Sequence, residues 1–228
     1  MRHIRAIFFD LDDTLWDMHE VIPRAEKRLY EWFGEFYPRV AETYTPERLH
    51  RLRFAVGARY PELRHDLSAL RMKVLRQVFT DSGYTDEGAA DAFEVFQYAR
   101  NQVTLFTDVL PALRELSASH RLFALTNGNA SLEAIGIMEC FEAQIGACDL
   151  GVAKPDSEFF NLAMERSETL PGEALHVGDH PENDILAARQ AGMMTLWMNR
   201  KGQDWLLEEC EPHHELSDLQ LLPELLRS

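Results

Sequence analysis

A short apolar run at residues 4–9, rich in Ile and Phe, stops abruptly at Asp10. A run of that length ending in acidic residues predicts a buried strand with a loop at its carboxyl end. Similar runs recur at residues 122–125, 144–146, 174–177 and 195–198. Between them the apolar positions take helical spacing. Val109, Leu110, Leu113 and Leu116 form one stripe, and Phe159, Phe160, Leu162 and Ala163 another. Ile185, Leu186 and Ala188 lead to Ala191-Gly192, where glycine suits the end of a helix. Strands alternating with helices predict an α/β fold, a Rossmann-like parallel sheet covered on both faces. Residues 216–226 read as a closing helix with Ser217 as its N-cap.

Residues 17–106 break that rhythm. They hold amphipathic patterns around 21–36, 47–56, 67–79 and 87–103, punctuated by Pro38, Pro46, Pro61 and Gly83. This predicts an all-helical insertion at 17–106, with the core made of 1–16 and 107–228.

Composition narrows the function classes. The chain has 228 residues, is 46% hydrophobic, and carries a net charge of −15 from 38 acidic and 23 basic residues. Such a balance argues against partners that are nucleic acid or an anionic membrane. Cys140, Cys148 and Cys210 form no CxxC pair, which disfavours a disulfide framework or a cysteine zinc site. No secretory signal or spanning segment is visible, so a cytoplasmic location is expected. The sequence leaves the oligomeric state open.

The candidate chemistry lies where the predicted strands end. Asp10-Leu11-Asp12-Asp13-Thr14 follows the first strand. Two carboxylates at i and i+2 can converge there, one as a nucleophile and one as a proton carrier, and hard oxygen ligands suit Mg²⁺. Thr126-Asn127-Gly128-Asn129 follows the second run, where a hydroxyl and turn N–H groups can hold phosphate oxygens. Lys154-Pro155 precedes a helical stripe, with a lysine able to neutralise a phosphoryl group and a proline suited to a first helical turn. Val177-Gly178-Asp179 follows a fourth strand and leads to Asn183 and Asp184. Taken singly, these are an acidic loop, an Asn-Gly turn, a surface lysine and a helix-start carboxylate.

In order and after successive strands, the four motifs resemble the haloacid dehalogenase-like hydrolase superfamily, over the whole chain and including a helical cap after the first motif. The resemblance implies a phosphatase working through an aspartyl-phosphate. It makes Asp10 the nucleophile and a Mg²⁺ ligand. Asp12 becomes the general acid and base, its main-chain carbonyl binding the metal. Thr126, Asn127 and Gly128 would hold phosphate, and Lys154 would neutralise charge. Asp179 would be a side-chain metal ligand, and Asp184 the last acidic position, with Asn183 as the alternative. Halide-displacing relatives lack the second aspartate, so Asp12 argues for phosphoryl transfer.

The 52–56 segment, Arg64-His65-Asp66, Thr126 to Ala130, His176-Val-Gly-Asp179 and Gly192 with Trp197 also resemble the bacterial flavin mononucleotide and riboflavin-pathway phosphatases. That implies a small phosphorylated metabolite as substrate. The implied cap covers the site, with Arg64, His65, Asp66 and Arg71 as candidates to face the substrate and Trp16 as a pocket or core residue. A phosphomutase or phosphotransferase would use the same core. A non-catalytic binding protein on the same scaffold is the remaining alternative.

Overall fold

The structure is a computed structural model that describes all residues except Arg2 and Ser228. Among the described residues, six strands form one sheet: β1 (Ala6–Phe9), β2 (Arg121–Thr126), β3 (Ala143–Gly146), β4 (Ala174–Gly178), β5 (Met194–Met198) and β6 (His214–Leu216). Their order is β3-β2-β1-β4-β5-β6, and every pairing is parallel. Strand β1 sits centrally, which is why all four of its side chains are fully buried. Ala6 and Phe8 face one apolar layer, in which Phe8 stacks on Phe123 at 5.0 Å between ring centres. That layer also holds Ile145, Phe159, Phe160 and Met164. Sheets buried on both faces need continuous apolar strands rather than alternation, and β1 has that pattern.

Strand β6 was not expected from the sequence. His214, Glu215 and Leu216 have neither a run nor an alternation, and only pairing with β5 makes them a strand. The expected closing helix shortens accordingly to Leu222–Arg227. Ser217 does not cap it. Asp218 caps the preceding 3₁₀ turn instead, its carboxylate accepting from the Gln220 N–H at 2.8 Å. Pro155 also differs from expectation. It follows a cis peptide bond from Lys154 and lies ahead of the helix Ser157–Arg166, whose N-cap is Asp156.

The chain separates into two units. The sheet unit comprises Met1–Asp17, Thr104–Gly128 and the chain from Leu132 onward. The other comprises Met18–Val103 together with Asn129–Ser131, a short piece expected in the core. This second unit is helical: Met18–Phe36, Pro38–Thr43, Pro46–Arg59, Leu67–Asp81 and Gly88–Arg100. The longest helix buries Val21, Ala25, Leu29, Trp32 and Phe33, a stripe recurring every three or four residues. Ala25, Leu29, Trp32 and Phe33 pack in a core with Phe79 and Phe96. Thr45 and Asp66 cap two of its helices by accepting the N–H groups of Arg48 and Ala69. Asp66, a candidate substrate contact in the sequence, is therefore a helix cap. Among the described residues, no helix is long and apolar enough to cross a membrane.

Candidate active site

The carboxyl ends of β1, β2 and β4 lie side by side, so the loops leaving them converge. Parallel sheets bind ligands at that edge. The Asp10 N–H donates to the Val177 carbonyl at 2.8 Å, extending the β1–β4 register one residue past the strand. The chain then reverses through Asp13, whose φ of 63° is left-handed, a conformation Asp tolerates better than most residues. A single concavity of about 190 Å³ is lined by Asp10, Asp12, Thr126, Asn127, Gly128, Lys154, Asp179 and Asp184, together with Asp13, His180 and Asn183.

The Lys154 ammonium is buried and donates to Asp10 Oδ1 at 2.6 Å and to Asp184 Oδ1 at 2.7 Å. Burial alone would lower its pKa, but the two carboxylates prevail and hold it above the ordinary lysine range. Asp184 is also opposed by burial, yet Lys154 and His176 hold its carboxyl well below the usual carboxylate range. His176 Nε2 lies 3.0 Å from Asp184 Oδ1, and the His180 N–H donates to Asp184 Oδ2 at 3.0 Å. Burial pushes the His176 imidazole down, towards its neutral form.

Asp184 sits in a π-helical turn, Pro181–Leu186. Such turns are uncommon and concentrate at functional sites. The turn carries Asp184 inward, and Asn183 stays on the cavity wall. Gly178 makes that inward position possible. A Cβ there would fall 2.4 Å from Asp184 Cγ and 2.6 Å from its Cβ.

Carboxylate oxygens of Asp10, Asp179 and Asp184 lie within 4.8 Å of one another. Three carboxylates against one lysine leave this cluster two negative charges in excess. Burial, then Asp184 and Asp13, push Asp179 up to about 7, and burial raises Asp10 well above the ordinary range in spite of Lys154. Close-set hard oxygen donors with that excess fit a divalent cation such as Mg²⁺. The Asp12 side chain is not part of the cluster. Its Oδ1 accepts the indole N–H of Trp16 at 2.9 Å.

Three further residues shape the site without having been assigned a role from the sequence. The Thr14 hydroxyl lies 3.3 Å from Asp10 Oδ2 and 3.4 Å from Asp179 Oδ1, placed to bridge the two loops. His176 stands in the sequence reading only as part of the segment leading to Asp179, and its pairing with Asp184 gives it a role at the site. Arg200 donates to the Thr14 carbonyl at 2.8 Å and to Asp108, bracing the Asp10–Thr14 loop from behind. Trp16, ambiguous in sequence, is fully buried and orients Asp12.

The Thr126 hydroxyl accepts the Gly128 N–H at 2.8 Å, which closes the tight turn expected there. Both ends of the Asn127 side chain engage the Lys154 backbone: Nδ2 donates to its carbonyl, and Oδ1 accepts its N–H, each at 2.9 Å. Asn127 thus fixes the lysine loop, and Thr126 with the main chain of the turn faces the cavity.

A haloacid dehalogenase-like hydrolase model matches residues 4–192. The chain belongs to that family, and its likeness to curated phosphatases over nearly its whole length makes it a phosphatase-type member. Its sequence is 34% identical to 5-amino-6-(5-phospho-D-ribitylamino)uracil phosphatase YigB of Escherichia coli, over 98% of this chain and 96% of that protein. It is 28% identical to the N-acylneuraminate-9-phosphatase of Homo sapiens, over 100% and 96% respectively. Among solved structures it is similar to a 2-haloacid dehalogenase from Pseudomonas syringae pv. Tomato DC3000, with a TM-score of 0.92, 38% identity and 98% coverage of both chains.

Proposed function

We propose that the protein is a Mg²⁺-dependent phosphomonoester hydrolase whose substrate is a phosphorylated ribityl compound of the riboflavin-pathway type. The observation that carries the reaction is the Lys154 bridge between Asp10 and Asp184 in a cavity also lined by Asp12, Thr126 and Asp179. The substrate class is supported by the likeness to YigB along nearly the whole chain.

Asp10, held by Lys154 and Thr14, presents a carboxylate oxygen to phosphorus and takes the phosphoryl group as an aspartyl-phosphate. Asp12, half-buried and oriented by Trp16, donates a proton to the leaving alkoxide. The same group then takes a proton from the water that attacks the aspartyl-phosphate. Lys154 and the Thr126 turn balance charge on the phosphoryl oxygens. Phosphoryl transfer depends chiefly on such positioning and neutralisation. Asp10, Asp179 and Asp184 would hold Mg²⁺, which when bound supplies the positive charge that lets a phosphate dianion enter a cluster of carboxylates.

A phosphoester panel tests this reading. Flavin mononucleotide, 5-amino-6-(5-phospho-D-ribitylamino)uracil and a sugar phosphate are assayed for phosphate release with Mg²⁺ or EDTA. 2-Chloropropionate is assayed in parallel for halide. Expected are phosphate release that needs Mg²⁺, no chloride release, and an inactive Asp10→Asn variant. Isomerised sugar phosphate without free phosphate would instead indicate a mutase.

A further inference from the structure

Strand β4 carries a histidine where its neighbours are apolar. His176 is fully buried, lies between Leu175 and Val177, and pairs in register with Phe8 of β1. Its ring meets that of Phe160 edge to face, with 4.9 Å between centres. A polar ring kept from water is unfavourable unless its hydrogen bonds are replaced, and leucine would fill the place without that cost. One contact compensates: Nε2 lies 3.0 Å from Asp184 Oδ1. The Asp184 carboxylate, held ionised by its partners, can only accept. Nε2 therefore carries the hydrogen and donates.

Side chains two apart on a strand face the same side, so His176 and Gly178 together meet Asp184. Gly178 gives the carboxylate room, and His176 gives it a donor. Three bonds then fix the rotation of that carboxylate. Oδ1 accepts from His176 and from Lys154 at 2.7 Å, and Oδ2 accepts from the His180 N–H at 3.0 Å. Lys154 is shared with Asp10, at 2.6 Å, so its hold on Asp184 depends on what Asp10 carries. The His176 donor is aimed at Asp184. This orientation matters to a cation because Mg²⁺ demands near-ideal octahedral geometry at about 2.0–2.1 Å. A turned Asp184 would no longer offer its oxygen at the same distance from those of Asp10 and Asp179.

We propose that His176 is a positioning residue for the cation: its Nε2–H fixes the rotation of Asp184 and thereby sets the affinity for Mg²⁺. The proposal rests on Asp10, Asp179 and Asp184 being the Mg²⁺ ligands and deepens that reading.

The test titrates Mg²⁺ into isotope-labelled, metal-free protein followed by proton–nitrogen NMR. Wild type, His176→Leu and His176→Gln are compared, with a melting curve in EDTA for each. Leucine removes the donor, and glutamine keeps an N–H donor at similar reach. The Kd for Mg²⁺ is expected to rise about ten- to a hundredfold in His176→Leu and to stay within about threefold of wild type in His176→Gln. In the wild type, His176 Nε2 is expected to carry a bound hydrogen whose signal moves as Mg²⁺ is added. That measurement needs no variant, so it reports even where His176→Leu fails to fold. A lowered Tm in both variants with the Kd unchanged would show a merely structural histidine and overturn the proposal. So would equal weakening of Mg²⁺ binding in both variants, or a wild-type Nε2 without hydrogen or indifferent to Mg²⁺. Wild type that binds no Mg²⁺ would refute the metal reading itself, and the proposal with it.

Discussion

Asp179→Asn isolates the electrostatic strain of the acidic cluster. In the metal-free protein, burial and the neighbouring Asp184 and Asp13 raise the Asp179 carboxyl from the ordinary 3.8 to about 7. A carboxyl whose folded pKa is raised contributes stability that is fully present below the unfolded value. That contribution is lost as pH rises through the folded value. The window therefore runs from 3.8 to about 7. At 1.36 kcal/mol per pH unit the ceiling is about 4 kcal/mol. Asp179 is half-buried, and water on its open side screens the repulsion, so about 2 kcal/mol is expected. For a chain of this size that corresponds to about 4–8 °C in Tm. Asparagine keeps the shape, and the Trp197 indole still holds the backbone through the Asp179 carbonyl at 2.7 Å. Melting curves in EDTA should show the variant equal to wild type at about pH 4 and more stable at about pH 8. Millimolar Mg²⁺ should raise the wild-type Tm at pH 8 and raise that of the variant much less. A variant that melts below wild type in EDTA at pH 8, or an equal Mg²⁺ effect on both, would refute the reasoning.

Two more substitutions probe the same cluster. Lys154→Met leaves the Asp10 and Asp184 carboxylates buried without their shared cation, and should cost about 3–5 kcal/mol in denaturant unfolding, with Mg²⁺ restoring part of it. Gly178→Ala places a methyl against Asp184 and should cost about 1–3 kcal/mol while lowering kcat/KM by more than that stability loss accounts for; unchanged activity would mean that the Asp184 position is unimportant.

Much of the fold was legible because its signals are local. The runs at 4–9, 122–125 and 174–177 are apolar enough to become central strands, and each ends where a functional loop begins. The helical insertion was legible for the same reason, since Val21, Ala25, Leu29 and Phe33 repeat at helical spacing. Strand β6 and the Asn129–Ser131 piece were not, because neither carries a periodicity and both take their place from what they pack against. Ser217 lost the capping role to Asp218 by one position, a choice set by where β6 ends.

The sequence by itself determined which residue types end each strand, and therefore that carboxylates, a hydroxyl and a lysine gather at one edge of a parallel sheet. Which segments become strands, β6 apart, and their succession along the chain follow from apolar runs, which are properties of the chain alone. Only the tertiary structure decided the pairings. Lys154 meets Asp10 across 144 residues, the π-turn brings Asp184 onto Lys154, and Asn127 is committed to the lysine loop. Arg53, Arg71 and Glu26, on three separate helices, share one contact. Spacing within one segment cannot encode such contacts, because they depend on distances between segments that exist only once the core has packed.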